Sequence, residues 1–362
     1  MDMTIAASAD DVSVFRQRLL AWYDAHARVL PWRVGPESQE KSDAYKVWLS
    51  EVMLQQTTVP HAAPYFEKFT QLWPTVRDLA AAEDAQVMAE WAGLGYYSRA
   101  RNLLKCARIV VSDYEGAFPE DESKLLKLPG FGPYTAAAVM AFAFGEAANV
   151  VDGNVERIMS RFYAVKTAVP EARPELRRLA ALWVRPERAR DWPQALMDMA
   201  SLVCRPKSPL CEKCPLNSGC QAFVEGRPEA YPVKAVKVPK PVRHGVVFVV
   251  YSEEGVVVER RPDKGLLGGM LGLPHLEWRV EPWGRIGENE GISAKNGEIC
   301  AGNYTHVFTH FTLRQEVLVR CLSVTEMTEY LRQHNKYQLL TWSDKKALPT
   351  VFGKALKFID MA

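Results

Sequence analysis

The sequence predicts an all-α domain followed by a smaller α/β domain, and three observations carry this prediction. The chain has 362 residues, of which 48% are hydrophobic and 24% charged, a length and composition typical of two folded domains. Apolar residues recur at helical spacing within residues 1–226, whereas β-rich runs follow residue 242. Residues 227–241 between them are rich in proline and basic side chains, which favours an extended linker.

The helices of the first domain are predicted by apolar residues that share one face. They are Leu103, Ala107, Val110 and Val111 in one helix, and Val155, Ile158, Met159 and Phe162 in another. A short helix over 122–127 and an alanine-rich helix over 133–144 flank Gly130 and Gly132. This pattern indicates a helix–hairpin–helix, whose glycines and helix N-terminus can bind a DNA phosphate without reading sequence. A plain turn between two helices is the alternative.

The second domain is predicted by short strands. Residues 246–251 and 256–261 are rich in valine and are joined by Ser-Glu-Glu-Gly, which indicates a β-hairpin. We expect a further strand over 316–322 and a helix over 325–334.

Composition and charge bound the function only loosely. The formal net charge is +2, which neither supports nor excludes a nucleic-acid partner. The longest apolar run, residues 135–144, is too short to span a bilayer. The first residues also lack a basic segment followed by an apolar one. We therefore expect a cytoplasmic, intracellular protein without a membrane partner.

Four of the seven cysteines cluster in one segment. Their spacing is Cys204-x6-Cys211-x2-Cys214-x5-Cys220. Four thiolates suit zinc or an iron–sulfur cluster, although structural zinc sites more often use paired Cys-x2-Cys knuckles. Four thiols without a metal are the third alternative. The scattered Cys106, Cys300 and Cys321 are predicted to be buried thiols.

Two carboxylates stand where they can carry chemistry. Glu51 lies on a mostly apolar predicted helix near Trp32 and Trp48, so burial should raise its pKa and let it act as a general acid. A surface glutamate on an amphipathic helix is the alternative. Asp152 stands at the entrance of a predicted helix, where an N-cap is the simplest interpretation.

Five motifs in this order resemble the adenine DNA glycosylase family of the endonuclease III superfamily. They are SEVMLQQT at 50–57, GLGYYSRARNL at 93–103, LPGFGPYTAAAV at 128–139, VDGNVERIMSR at 151–161 and the four-cysteine loop at 204–220. The resemblance covers residues 12–225. It implies a monomeric base excision repair enzyme that flips adenine out of a mispair with 8-oxoguanine or guanine in duplex DNA and cleaves its N-glycosidic bond. It also implies a [4Fe-4S] cluster on the four cysteines.

The resemblance further implies a role for each matched residue. Glu51 protonates adenine N7, and Asp152 stabilises the oxocarbenium-like sugar, as in glycoside hydrolysis. Tyr134 and Asn154 orient Asp152 and the sugar. Gln56 and Tyr96, which we call the insertion pair, enter the base stack beside 8-oxoguanine. Other expected DNA or base contacts are Arg33, Thr57, Leu94, Gly130, Gly132 and Gln194.

Residues 242–362 resemble the Nudix-like domain of the same family. The glycine-rich segment 265–274 fits, but nothing after Pro274 matches the acidic run that binds Mg²⁺ in Nudix hydrolases, so we expect recognition rather than pyrophosphatase chemistry. Phe308, Thr309 and His310 resemble the loop that reads 8-oxoguanine, with threonine where the family more often has serine. A β-hairpin with a core phenylalanine is the alternative for this segment.

Two other functions remain open at this point. An endonuclease III-like glycosylase with lyase activity needs a lysine just after the hairpin as nucleophile. Tyr134 occupies that position, and no lysine lies within 128–161, so we expect a monofunctional enzyme. A non-catalytic, iron–sulfur DNA-binding or redox-sensing protein would need both Glu51 and Asp152 to be structural.

Overall fold

The chain forms two compact units, Met1–Val236 and Lys237–Ala362. The structure, a computed structural model, describes residues 9–36, 38, 40–235, 239–262, 265–283 and 299–361. Within these ranges, no helix combines the length and the apolar character that crossing a membrane requires.

The first unit is built of helices. They are α1 (Ala9–His26), α2 (Ala44–Leu54), α3 (Val59–Leu72), α4 (Val76–Ala81), α5 (Asp84–Glu90), α6 (Ser98–Asp113), α7 (Glu122–Leu125), α8 (Pro133–Phe142), α9 (Gly153–Phe162), α10 (Arg173–Ala181), α11 (Asp191–Leu202) and α12 (Gln221–Val224). The two apolar patterns of the sequence lie on α6 and α9, and the predicted hairpin lies between α7 and α8. The all-α prediction for this part of the chain is confirmed.

The helical unit contains two hydrophobic cores. Helices α2 to α8 surround the first core, which includes Trp48 and Leu103. Helices α1, α9, α10 and α11 surround the second, which includes Ile158 and Trp183. The N-terminal helix therefore packs with the helices that follow Asp152, and the chain crosses between the cores at residues 27–43 and 143–152. Both crossings bring polar residues to the boundary of the two cores.

Part of the proline-rich segment 227–241 packs on the helical unit. Tyr231 is only 4% exposed, and its backbone carbonyl accepts a hydrogen bond of 3.1 Å from Nε of Arg161. Val169 donates its backbone N–H to the carbonyl of Val233 at 2.9 Å. These contacts anchor residues 231–233 on the helices, although we predict an extended linker there. Residues 236–238 lie outside the described residues.

The second unit is a mixed sheet with helices on both faces. Its strands are β1 (Val242–Tyr251), β2 (Gly255–Arg260), β3 (Leu271–Gly272), β4 (Ile299–Val307), β5 (Thr312–Cys321) and β6 (Tyr337–Thr341), and its helices are α13 (Val324–Gln333) and α14 (Thr350–Gly353). The strand order is β3-β2-β1-β5-β4, with β6 paired to β2. Strands β1 and β5 run parallel, and the other pairs are antiparallel. The α/β prediction, the β1–β2 hairpin and the helix after β5 are confirmed.

The prediction for the scattered cysteines is wrong at two of three positions. Cys106 is buried on α6, but Cys300 and Cys321 are exposed. Cys300 lies at the start of β4, which is the edge strand, and Cys321 is the last residue of β5. Apolar sequence surroundings do not reveal that a residue stands at the margin of a sheet.

Candidate active site

A cleft of about 220 Å³ opens in the helical unit at the boundary of its two cores. Its walls come from the end of α2, the start of α8, the start of α9 and one face of α11. Seven of the residues that we singled out from the sequence line this cleft. They are Arg33, Glu51, Thr57, Tyr134, Asp152, Asn154 and Gln194. Residues that lie far apart in the sequence thus share one space large enough for a planar base.

Glu51 is a carboxylic acid inside an apolar helix. It lies on α2, whose residues 47–53 are all buried, and its own exposure is 7%. Burial raises the pKa of Glu51 to about 7, and the charge of Asp152 adds to the rise, whereas a hydrogen bond from Tyr134 and the charge of Arg33 oppose it. Glu51 therefore holds a proton in a large fraction of molecules at neutral pH.

Tyr134 is bound to Glu51 and lies within reach of the charge of Asp152. It stands in the first turn of α8, directly after Gly132 and Pro133, and its hydroxyl is hydrogen-bonded to Glu51. Burial and the charges of Glu51 and Asp152 raise the pKa of Tyr134 well above its usual value. The phenol therefore stays protonated and serves as a hydrogen-bond donor.

Asp152 is the N-cap of α9, as the simplest interpretation of the sequence predicts. Its Oδ1 accepts hydrogen bonds from the backbone N–H groups of Asn154 at 2.9 Å and Val155 at 2.8 Å. Its Oδ2 accepts one from Nδ2 of Asn154 at 2.8 Å. These three donors fix the direction of the carboxylate at the start of α9. The capping role and a site role coexist, because the side chain also lines the cleft.

A buried ion cluster at the cleft was not apparent from the sequence. Asp198 on α11 is fully buried, and it pairs with Nε of Arg28 and Nη1 of Arg33, both at 2.7 Å. It also accepts the backbone N–H of Arg28 at 2.8 Å. Arg28 and Arg33 both line the cleft. Asp198 thereby fixes two cations at the wall of the cleft.

Asp198 could have been found by the argument that singled out Glu51. It lies in the stretch Ala195-Leu-Met-Asp-Met-Ala200, where a lone carboxylate interrupts a run of apolar residues. Such a carboxylate is buried only with a partner. The identity of that partner, more than 160 residues away in the chain, is visible only in the fold.

A chain of polar contacts leads from Asp152 to the cysteine loop. Nη2 of Arg157 donates to Oδ1 of Asn154 at 3.1 Å, and Asn154 itself donates to Asp152. Nε of the same arginine donates to the backbone carbonyl of Cys204 at 2.9 Å. The arrangement of the cysteine loop is thus mechanically linked to the orientation of Asp152.

The four cysteines lie beside the second core. Cys204, Cys214 and Cys220 pack against it, and Nη1 of Arg161 approaches Sγ of Cys204 at 3.3 Å. Burial and, to a smaller extent, the charges of the other loop cysteines raise the pKa of Cys214 to about 12 and that of Cys220 to about 11, against backbone hydrogen bonds that lower both.

The number and type of these donors fit a thiolate-bound metal group. In the described part of the chain, however, no three His, Cys, Asp or Glu side chains are drawn close enough to hold a metal ion. The charge of Cys204 nevertheless reaches Cys211, Cys214 and Cys220 and raises their pKa values. Since burial disfavours free thiolates here, a bound cation is the natural means of ionising them.

The glycine hairpin has the geometry that a phosphate site needs. Gly130 has a φ of +82°, and a Cβ there would lie 3.3 Å from Cβ of Asn102. Gly132 is the N-cap of α8 with a φ of −109°, and a Cβ there meets nothing within 4 Å. The open side of Gly132 leaves the first N–H groups of α8 accessible to an anion.

The insertion pair lies outside the cleft. Gln56 and Tyr96 are both exposed, Tyr96 by 56%, and both have left-handed backbones, with φ of 58° and 45°. Leu94, which the resemblance implies contacts the DNA beside the insertion pair, is buried at 5% exposure and is not among the residues that line the cleft. Its backbone carbonyl is bound by Arg99 instead.

The remaining expected contacts belong to the second unit. Phe308 is half-buried and packs against Trp278 at 5.4 Å and Phe311 at 4.8 Å between ring centroids. Thr309 and His310 are exposed at the turn between β4 and β5. Phe308 therefore packs as the alternative of a hairpin with a core phenylalanine predicts, whereas the side chain of His310 is exposed to solvent.

The cleft brings together a carboxyl group whose pKa burial raises, Glu51, and one that accepts three hydrogen bonds at a helix N-terminus, Asp152. A proton donor beside a desolvated pocket can protonate a leaving group, and a carboxylate nearby can stabilise a cation that forms when the bond breaks. Enzymes that cleave glycosidic bonds commonly place two carboxyl groups in different environments, so that one donates a proton and the other acts as a carboxylate.

Both units of the chain are similar to known protein families. Residues 49–186 match the HhH-GPD superfamily of base excision DNA repair proteins, and residues 246–357 match a NUDIX domain. The chain is 35% identical to an adenine DNA glycosylase of Arabidopsis thaliana over 92% of this chain, and it spans 61% of that relative's length. It is 32% identical to an adenine DNA glycosylase of Buchnera aphidicola subsp. Schizaphis graminum, covering 83% of this chain and 86% of the relative. A solved thermostable thymine-DNA glycosylase superposes on 60% of the chain with a TM-score of 0.54 and 30% identity, over 99% of its own length.

Proposed function

The chain belongs to the adenine DNA glycosylase family, and from this premise we propose that it removes adenine mispaired with 8-oxoguanine or guanine from duplex DNA. One observation carries the proposal: the buried Glu51, whose pKa is raised to about 7, and Asp152, the N-cap of α9, line the same cleft. The expected product is an abasic site together with free adenine.

Glu51 is the general acid of this proposal. Its proton passes to N7 of the extruded adenine, and the electrons of the breaking C1′–N9 bond then move into a neutral leaving group. The sugar is left as an oxocarbenium-like cation, whose charge Asp152 offsets. Water then adds at C1′ and loses a proton, so that the reaction is a hydrolysis.

Asp152 needs neighbours that fix its direction. Asn154 holds one carboxylate oxygen through its side chain and the other through its backbone. Tyr134 keeps a hydrogen-bond donor between the two carboxyl groups. Gln194 is 4% exposed at the same cleft, and with Arg33 it is proposed to contact the flipped base. Catalytic groups that are held in place before the reaction lower the activation barrier of bond cleavage.

The residues that line the cleft disfavour lyase activity. A lyase of the endonuclease III type needs an amine that attacks C1′ and forms a Schiff base. Among the described residues that line the cleft there is no lysine, and Tyr134 stands in the position of that amine. We therefore propose a monofunctional glycosylase that leaves the DNA backbone intact.

We also propose that Cys204, Cys211, Cys214 and Cys220 hold a [4Fe-4S] cluster. Such a group would fix the loop that joins Cys204, through Arg157 and Asn154, to Asp152. Protein purified without oxygen should be brown, with a thiolate-to-iron charge-transfer absorbance and about four irons per chain. A colourless protein with one zinc per chain contradicts the cluster.

Incubation with an 8-oxoguanine:adenine duplex tests the function directly. The expected result is adenine release with strand breakage only after treatment with alkali. Glu51→Gln should abolish single-turnover release while duplex binding remains. Glu67→Gln changes an exposed glutamate on α3 in the same way and should retain full activity. Breakage without alkali indicates a lyase, and binding without release indicates a non-catalytic protein. Release by Glu51→Gln at the unsubstituted rate contradicts the role of Glu51.

A further inference from the structure

Arg99 connects the two segments that carry the insertion pair. It stands in the first turn of α6 and is 9% exposed. Its Nη1 lies 2.9 Å from the carbonyl of Val52, 3.1 Å from that of Met53 and 2.7 Å from that of Gln55. Its Nη2 lies 2.8 Å from the carbonyl of Leu94 and 3.3 Å from that of Gly95. One guanidinium thus binds the residues that immediately precede both Gln56 and Tyr96.

The bound carbonyls lie where regular secondary structure supplies few donors, and that of Gly95 also accepts a hydrogen bond of 3.1 Å from Nε1 of Trp91. Helix α2 ends at Leu54, and the carbonyls of a last helical turn have no intrahelical donor. A cation at that end also complements the helix dipole. The second segment, 91–97, contains Gly93 and Gly95, both with positive φ, and so cannot hold its shape by regular secondary structure. A single planar donor group satisfies both segments at once.

Both residues of the insertion pair depart from ordinary backbone geometry. A non-glycine residue in the left-handed region is disfavoured by its Cβ. Gln56 and Tyr96 adopt this region although their side chains are exposed and gain little from packing. Such conformations persist only where the surrounding structure imposes them, and they concentrate at functional sites. The contacts of Arg99 on the preceding carbonyls are the imposing structure here.

Arg99 also contacts the exposed ring directly. Its guanidinium carbon lies 5.8 Å from the ring centroid of Tyr96 and 5.2 Å from that of Trp91. Its Nε is buried and has no hydrogen-bond partner among the described residues. A residue selected for stability alone is expected to satisfy all its buried polar atoms. The contacts of Arg99 therefore favour a role in fixing the position of Tyr96 over a role in folding alone.

We infer that Arg99 is a positioning residue for the insertion pair: it holds Gln56 and Tyr96 at a fixed separation so that both enter the base stack beside 8-oxoguanine in one motion. This inference rests on the proposed function, since it presupposes insertion beside that base. Arg99 contacts no reacting atom, and its effect on adenine release is exerted through the insertion pair.

A double-mutant cycle separates positioning from a merely structural role. Arg99→Lys keeps the charge but cannot reach five carbonyls in two segments. It is made in the unsubstituted chain and in a Gln56→Ala/Tyr96→Ala chain. Arg108→Lys is the matched control, because Arg108 on the same helix also binds backbone carbonyls, those of Ala80 and Ala82, away from the insertion pair. Circular dichroism and thermal melting establish that each variant is folded.

Two readouts are measured with saturating enzyme. The first is the single-turnover rate of adenine release from an 8-oxoguanine:adenine duplex. The second is the fluorescence of 2-aminopurine placed next to 8-oxoguanine, which rises when the base stack opens. The duplex used for the fluorescence readout carries a 2′-fluorine on the adenosine sugar. The fluorine slows cleavage by destabilising the oxocarbenium-like cation, so that the base stack is observed before adenine is released.

Arg99→Lys should slow release by about 10- to 100-fold in the unsubstituted chain, as expected for a misplacement of about 1 Å. It should also abolish most of the fluorescence rise. In the Gln56→Ala/Tyr96→Ala chain the same substitution should change the rate by less than about threefold, because the residues that it positions are gone. Arg108→Lys should leave both readouts unchanged.

Equal losses in both chains overturn the positioning role, as does an unchanged rate in a folded Arg99→Lys protein. If this variant does not fold, Gly95→Ala tests the same contact from the loop side. The added Cβ meets nothing within 4 Å but is strained at a φ of +69°, so it displaces the carbonyl that Arg99 binds, and it should show the same dependence on the insertion pair. An unsubstituted protein that releases no adenine contradicts the proposed function itself, whereas equal losses contradict only the role of Arg99.

Discussion

At the scale of single residues, the cleft depends on two carboxyl groups in different surroundings. Glu51 is enclosed by apolar residues of α2, and burial raises its pKa to about 7. Asp152 receives three hydrogen bonds at the start of α9. Because the folded-state pKa of Glu51 lies above its unfolded value, ionising it destabilises the fold. Its contribution to stability is therefore lost as the pH rises from about 4.5 to about 7.

Tyr134→Phe tests how these two groups are coupled. The hydroxyl of Tyr134 lowers the pKa of Glu51 through a hydrogen bond, so its removal should raise that pKa further. The rate of adenine release requires protonated Glu51 and should fall as the pH rises through the pKa. We expect the alkaline limb of the single-turnover pH profile to move to higher pH in Tyr134→Phe, together with a lower maximal rate.

The matched control for this substitution is Tyr45→Phe. Tyr45 is a buried tyrosine whose hydroxyl donates to the backbone carbonyl of Trp73, within the first core and outside the residues that line the cleft. It should shift thermal stability without moving the pH profile. A limb that stays in place in Tyr134→Phe contradicts the coupling between the phenol and Glu51.

Individual residues differ in how far the sequence predicts them. Glu51 can be identified because a carboxylate in an apolar helix conflicts with its surroundings and so signals a special environment. The partners of Asp198 cannot be identified, since Arg28 and Arg33 reach it only after the chain has crossed between the cores. Arg99 is missed for a related reason: an arginine at the start of a helix is ordinarily exposed, and only the fold encloses it.

At the scale of elements, the helix–hairpin–helix can be predicted because its signals are local. Glycines, a proline in the first turn and an alanine-rich continuation act within a dozen residues. The mixed sheet is different. The parallel pairing of β1 with β5 joins residues about seventy positions apart, and no local signal specifies that register. Strands are therefore predicted singly, whereas their order is a result of the fold.

The two hairpin glycines should respond differently to alanine. Gly130→Ala places a Cβ at a φ of +82° and 3.3 Å from Asn102, so it should destabilise the helical unit by about 1–2 kcal/mol. Gly132→Ala meets no neighbour within 4 Å and should leave the melting temperature unchanged. Its Cβ projects where a phosphate would approach the first N–H groups of α8. We expect it to weaken binding about tenfold, equally for damaged and undamaged duplexes.

Melting curves and binding titrations at fixed salt check both expectations. Gly226→Ala is a control for backbone strain without DNA contact, because Gly226 also has a positive φ, of +67°, and an open surrounding. It should lower stability without changing affinity for DNA when both are measured below the melting transition. Unchanged affinity in Gly132→Ala contradicts a phosphate site at the hairpin.

At the scale of the whole molecule, we propose that bond cleavage and lesion recognition belong to different units. The groups proposed for bond cleavage all lie in the helical unit, and those proposed for reading 8-oxoguanine are Phe308, Thr309 and His310 in the second unit. Covalent connection raises the effective concentration of one unit at a lesion that the other has bound. A weak second contact can therefore control selectivity without entering the chemistry.

The Phe308→Ala/His310→Ala variant tests this division. Removing the two side chains should abolish the preference for 8-oxoguanine:adenine over guanine:adenine duplexes, measured as the ratio of release rates at limiting enzyme. The rate of release from the guanine:adenine duplex should change by less than about threefold, because the cleft is unchanged. The ratio of the two rates should fall by the equivalent of about 1–3 kcal/mol, the usual value of one base contact. Phe358→Ala/His334→Ala removes one half-buried phenylalanine and one exposed histidine elsewhere in the same unit and should retain the preference. Circular dichroism and thermal melting verify that the sheet is intact, because the loss of Phe308 beside Trp278 changes tryptophan fluorescence by itself. A preserved preference in an intact protein contradicts the reading of 8-oxoguanine by Phe308 and His310.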